Sequence, residues 1–136
     1  MLKKALLGLA MLAAVSGCAT AQDMRMAPPG GGYKKVSTLV ALPDFIPGLG
    51  TLYVKPGTLP VGPFLAYDHG GRLVSSIYMV PLKDLNAHKK LDDLASGPLP
   101  VDHVDFYYNA GHPGVEVPHY HVVLWYISED EADKLK

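Results

Sequence analysis

Histidine side chains are concentrated in one stretch of this chain, with a spacing that could serve metal binding. Four of the six histidines fall between residues 103 and 121. His119 and His121 form an H-x-H motif, and a strand here would point both imidazoles the same way, because alternate side chains of a strand leave one face. His103 and Asp105 have the same spacing in the preceding stretch. Imidazole and carboxylate groups are common ligands of divalent metals in proteins.

We therefore predict a candidate site for a divalent metal, with zinc as the favoured ion. Its predicted ligands are His103, Asp105, His119 and His121. His112 and Glu116 lie in the loop between the two stretches and could supply a further ligand or a general base. The pairing register of the two stretches decides this geometry, because a slip of one residue moves every side chain to the opposite face.

A purely structural role for these histidines is the open alternative. Buried imidazoles can be satisfied by backbone carbonyls, tyrosine hydroxyls or Asp105 without any metal. The sequence offers no other chemical motif that would decide between the two, since it has no Gly-rich phosphate loop and no serine-centred nucleophile motif.

Three kinds of function fit this pattern. We favour a binding module that uses the histidine face for a divalent metal or a small polar ligand. The second is a metal-dependent enzyme with Asp105 or Glu116 as the base, although no residue marks a reaction class. The third is a structural or interaction domain that contacts another envelope protein through some of its eight tyrosines and Trp125.

The histidine stretches are predicted to form an antiparallel hairpin from strands 101–108 and 119–127. Val104 and Phe106 share one face of the first strand, and we expect that face to lie in the core. The predicted core residues are Leu39, Leu52, Ile77, Leu85, Leu91, Val104, Phe106, Val122 and Leu124.

The remaining elements complete an α+β fold, with residues 34–136 as a single domain. Short strands are expected at 35–42, 51–55, 64–68 and 72–80. Leucines at helical spacing predict an amphipathic helix over 82–95. Ser128 and Glu131 have the spacing of a capping box that begins a short C-terminal helix. The prediction is thus a mainly antiparallel sheet of about five or six short strands, with one mid-chain helix and a short C-terminal helix.

The first residues have the pattern of an export signal that ends in the single cysteine, Cys18. A short basic start, a short apolar run and small residues before the cysteine are typical of a bacterial lipoprotein signal peptide, predicted as residues 1–17. Cys18 would then carry fatty acyl groups such as palmitate and anchor the protein to a membrane. Residues 18–33 are predicted to be a flexible tether. In a Gram-negative host we expect the periplasmic face of the outer membrane.

The composition of the expected mature chain argues against nucleic acid as a partner. Beyond residue 17 the chain has ten basic and thirteen acidic residues, without a block of Lys or Arg. The remaining 119 residues suffice for one domain with a core.

Two resemblances add expectations. The H-x-H on a strand resembles the cupin metal motif, but only residues 122–136 follow it here, whereas cupins have further strands with more ligands. The stretches beginning at Gly50, Gly62, Asp102 and Val117 resemble a family of small secreted bacterial proteins of unknown function, which includes a Thermus protein controlled by an extracytoplasmic sigma factor. That resemblance spans residues 36 to about 130. It implies a compact α+β domain that could assemble into a ring-like homo-oligomer, and it implies no reaction.

Overall fold

The computed structural model describes residues 24–136. Within that range the strands are β1 Lys34–Lys35, β2 Thr51–Val54, β3 Phe64–Tyr67, β4 Leu73–Pro81, β5 His103–Asn109 and β6 His119–Trp125. The α-helices are α1 Leu82–Asn86 and α2 Glu129–Ala132, and single 3-10 turns occupy Val36–Thr38 and Pro56–Thr58. The strands form one antiparallel sheet in the order β1-β2-β3-β4-β6-β5.

The predicted antiparallel sheet is confirmed, and the described residues contain less helix than expected. The domain is mostly β, so the α+β description fits only roughly. The mid-chain helix ends at Asn86 instead of near residue 95. His88 and Asp93 have positive φ angles of 55° and 56°, a left-handed conformation that an α-helix cannot continue through.

The strand expected at 35–42 is also shorter than predicted. β1 has two residues, and the chain then enters the 3-10 turn at Val36–Thr38. The hydroxyl of Thr38 donates a hydrogen bond to the Lys35 carbonyl at 2.6 Å. A local side-chain bond of this kind offers the backbone an alternative to the sheet ladder.

One face of the sheet forms the main core beneath residues 36–50. Leu52 and Ile77 are buried there, as predicted. Burial of each such side chain contributes about 1.5–3 kcal/mol. Val40 and Ile46 of the covering segment pack against this cluster. We call this side of the sheet the covered face.

The prediction that Val104 and Phe106 lie in the core is wrong. Their side chains are 53% and 61% exposed, on the opposite face of the sheet. The polar side of β5 lies on the covered face because its groups find partners on β6. The Trp125 indole N–H donates to the Asp105 carboxylate at 2.8 Å, and the His103 ring stacks on the same indole.

Other predicted core residues are also more accessible than expected. Leu39 and Leu85 are 42% and 41% exposed: Leu39 directly follows the 3-10 turn at Val36–Thr38, and Leu85 lies in the short helix α1. Half-buried positions are Leu91, Val122 and Leu124.

Residues 24–27, which fall within the predicted tether, contact the sheet. Ala27 N donates to the Gly71 carbonyl at 2.8 Å, and the Tyr67 hydroxyl donates to the Met24 carbonyl at 2.7 Å. The predicted signal peptide and Cys18 lie outside the described residues. From residue 24 onward, the structure has no helix that is both long and apolar enough to span a bilayer.

The predicted capping box at the C-terminal helix is confirmed. The Ser128 hydroxyl accepts a hydrogen bond from Glu131 N, and the Glu131 carboxylate accepts one from Ser128 N. These bonds satisfy two backbone donors that the first turn of a helix otherwise leaves free.

Candidate metal centre

β6 places two imidazoles side by side on the covered face of the sheet. His119 and His121 alternate along the strand and therefore point the same way. His119 is fully buried, and His121 is 3% exposed. In the register, His121 lies between Met79 of β4 and Tyr107 of β5. The side chains are thus fixed from both neighbouring strands.

A tight turn in the β5–β6 loop brings a third imidazole to the same place. His112 and Val115 exchange backbone hydrogen bonds of 3.1 and 3.0 Å across the turn. Pro113 and Gly114 occupy its central positions, and Gly114 has a φ of 90°. This sequence and conformation are typical of a type II turn. The turn holds the half-buried His112 over the H-x-H motif.

The three imidazoles converge through their Nε2 atoms. The Nε2 atoms of His119 and His121 are 2.9 Å apart, and those of His112 and His121 are 3.4 Å apart. One ligand nitrogen from each residue lies within 4.8 Å of the other two. We call these three residues the histidine triad. The triad is close enough to hold a metal ion.

The Nδ1 atoms of the triad point outward to oxygen atoms. His119 Nδ1 lies 2.6 Å from the Val117 carbonyl, and His112 Nδ1 lies 3.0 Å from the Pro113 carbonyl. Carbonyl oxygens only accept hydrogen bonds, so these contacts assign the ring proton of both residues to Nδ1. The Nε2 lone pairs of both rings therefore face the centre of the triad.

Neutral imidazoles cannot satisfy all three Nε2 atoms at once. His121 Nδ1 lies 3.0 Å from the Tyr107 hydroxyl, which can either donate or accept. His121 can thus supply at most one Nε2 proton to the cluster. The remaining lone pairs stay without a donor from within the triad, and a metal ion bound between the rings would satisfy them.

The surroundings of His121 favour its neutral form. Burial, followed by the proximity of His119 and His112, lowers the pKa of His121 to about 4. A neutral ring at pH 7 leaves its nitrogen lone pair available for coordination.

The structure does not bring His103, Asp105 or Glu116 into the triad. The register pairs His103 with Trp125 and Asp105 with Val123, so both lie further along the hairpin than His121. His103 Nδ1 contacts the Asp102 carboxylate at 2.8 Å. Glu116 is exposed in the loop. The polar face of β5 points to the same side of the sheet as the histidines of β6. Because His103 and Asp105 pair with Trp125 and Val123, they form one group along the hairpin, apart from His119 and His121.

Tyr107 is a site residue that the sequence reasoning missed. Its hydroxyl contacts His121, and its ring packs at 4.9 Å from the imidazole. Burial, with a smaller contribution from Asp105, raises the pKa of Tyr107, which keeps its proton. Its position could have been predicted from the sequence, because Tyr107 lies two residues after Asp105 and alternate side chains of a strand share one face.

A cavity of about 460 Å³ opens beside the triad. Tyr107, Asn109, His112 and His121 form its polar end, and most of the remaining wall is aliphatic. Its size falls in the range of small-molecule sites.

The chain is similar to the solved structure of a hypothetical protein. The crystal structure of the hypothetical protein TTHB210 from Thermus thermophilus is 52% identical, with a TM-score of 0.61. The match covers 70% of this chain and 87% of that one. No protein-family model matches the chain. No curated protein matches it either.

Proposed function

This chain belongs to the same family as the hypothetical protein TTHB210 of Thermus thermophilus, and because that name carries no activity, we propose a function from the site itself. We propose that the protein is a lipid-anchored binding module of the cell envelope whose histidine triad binds a divalent metal, with zinc preferred.

The observation that carries the proposal is the convergence of three Nε2 atoms with their Nδ1 atoms held by outer partners. An outer oxygen on the second ring nitrogen is the usual arrangement of metal-binding histidines, because it fixes the tautomer and the ring orientation. The outer partners here are Val117, Pro113 and Tyr107.

The distances within the triad support a small ion with imidazole ligands. Nitrogen ligands at about 2.0–2.1 Å from tetrahedral zinc are separated by roughly 3.3 Å. The Nε2–Nε2 distances of 2.9 and 3.4 Å lie on either side of that value. Small movements of the rings would therefore bring them to ligand positions around zinc.

Metal content measures this proposal directly. We expect the chain, purified without a histidine tag, to hold close to one zinc ion, measured by inductively coupled plasma mass spectrometry. The His112→Ala and His119→Ala variants should lose it. His103→Ala is the matched control and should keep the metal, because that ring stacks on Trp125 away from the triad.

Two outcomes would contradict the proposal. One is a protein that takes up no zinc, cobalt or nickel even after dialysis against each ion. The other is loss of the metal in His103→Ala together with retention of the metal in His112→Ala. That result would place the metal site near His103 and Trp125 instead of at the triad.

The proposed location in the envelope is supported by residues 1–18 alone, which have a basic start, an apolar run and Cys18 directly after small residues. We expect the Cys18→Ala variant to lose acyl groups, detected by mass spectrometry of the N-terminal peptide, and to leave the membrane fraction. A serine variant at the adjacent residue, Ala19→Ser, is the control. An unmodified Cys18 in membrane-free wild-type protein would reject the anchor.

A further inference from the structure

We propose that the ligand of the triad's metal is a small aliphatic carboxylate, whose chain fills the cavity beside the triad. This inference rests on the proposed metal function. The inference is that the carboxylate would occupy the coordination position that the three histidines leave free on the metal.

The cavity is apolar over most of its wall, which favours an aliphatic ligand body. Val36, Leu42 and Ile46 of the covering segment line it on one side, and Leu52, Phe64 and Met79 of the sheet line it on the other. Burial of each methylene of a ligand against such a wall strengthens binding by about fourfold.

The polar end of the cavity lies at the triad, which places a ligand head group beside the metal. His112 and His121 face the cavity, while the fully buried His119 is not part of its wall. The group of potential metal ligands in residues 24–136 consists of the three histidines. Zinc normally takes four ligands, so at least one coordination position is open to a molecule in the cavity.

The charge of the site favours an anionic head. Three neutral imidazoles leave both positive charges of a divalent ion uncompensated in apolar surroundings, which is costly. Of the cavity-lining residues in the described part of the chain, none is Asp or Glu, and none is Lys or Arg. A bound carboxylate would therefore offset charge that no side chain of the cavity offsets, and the metal would be its cationic partner.

Titration of the zinc-loaded full-length mature chain with straight-chain carboxylates tests the inference. We expect calorimetry to show affinity rising by about fourfold per methylene from butanoate to octanoate. Octanol, which has the same chain without the charge, should bind at least about tenfold more weakly. Removal of zinc with a chelator should lower the affinity for octanoate to the level of the affinity for octanol.

Two variants separate the cavity from the metal. His121→Ala should abolish the preference for octanoate over octanol. Leu39→Gln changes a cavity residue that is 42% exposed, so the fold should tolerate it. This variant should weaken octanoate binding several-fold and leave zinc affinity unchanged.

The outcomes distinguish the two proposals. If the protein takes up no zinc, cobalt or nickel, the metal function fails, and this inference fails with it. If zinc binds but octanoate binds no better than acetate, the ligand assignment is overturned and the metal function stands. Equal affinity for octanoate in His121→Ala and in the zinc-loaded wild type would also overturn it.

Discussion

The Tyr107 hydroxyl is the side-chain group that orients a triad member, and its removal should be visible in metal affinity. We expect Tyr107→Phe to weaken zinc binding by about 10- to 100-fold, because the outer partner of a ligating imidazole fixes its tautomer and orientation. Competition with a chromophoric chelator measures the change. Tyr108→Phe is the matched control, since that ring is 53% exposed on the opposite face. Unchanged affinity in Tyr107→Phe would show that the His121 ring is positioned without this contact.

At the scale of elements, the cap of α2 gives a pH-dependent contribution to stability. Hydrogen bonds from the Ser128 backbone, then from its side chain, lower the pKa of Glu131. A folded-state pKa below the unfolded value means that the contribution is present above about pH 4.3 and is lost as the pH falls through the folded pKa.

We expect Ser128→Ala to lower the free energy of unfolding by about 1 kcal/mol at pH 7. The difference from wild type should be smaller at pH 3 than at pH 7, because the protonated fraction of the Glu131 carboxyl rises as the pH falls. Urea unfolding at both pH values measures it. Glu129→Gln removes a first-turn carboxylate outside the capping bonds and is the control. A loss in Ser128→Ala that is equal at both pH values would contradict the role of the Glu131 carboxylate.

The elements differ in how well local sequence predicts them. Strands β2, β3 and β4 and the capping box follow from alternation, turn residues and cap spacing, all of which act over a few neighbours. The inward face of β5 does not, because its orientation depends on Asp105 meeting the Trp125 indole 20 residues away. The apolar side chains of Val104 and Phe106 alone predict that their face of β5 lies in the core, which is wrong.

The same limit applies to the candidate site. The H-x-H spacing predicts that His119 and His121 lie together, since it needs only the strand period. The position of His112 depends on a turn folding back over β6, and the separation of His103 depends on a register that pairs it with Trp125. Both are long-range properties of the hairpin.

At the scale of the whole molecule, residues 24–136 leave an apolar face and the edge of β5 uncovered, and we expect a second copy of this chain to cover them. The exposed patch comprises Val104, Phe106 and Tyr108 of β5 with the half-buried Tyr120, Val122 and Leu124 of β6. β5 has no Lys, Pro or bulge, three of the features that keep edge strands from pairing, and its charged residue Asp105 is bonded to Trp125.

We expect light scattering to show a homo-oligomer for the wild type and a smaller species for Phe106→Lys, because a charge in the patch opposes burial. Leu59→Lys is the control, since Leu59 is 42% exposed away from the patch. A wild-type monomer at micromolar concentration would reject this expectation.

The packing of Trp125 against His103 and Asp105 also makes this residue an intrinsic fluorescent probe of the fold. Trp125 is the single tryptophan of the chain and is 4% exposed, so the tryptophan fluorescence comes from one indole in one environment. Its emission should move to longer wavelength when water reaches that end of the β5–β6 hairpin. Because residues 1–23 contain no tryptophan, the tryptophan spectrum reports on the sheet whether or not those residues are present, and it needs no attached dye.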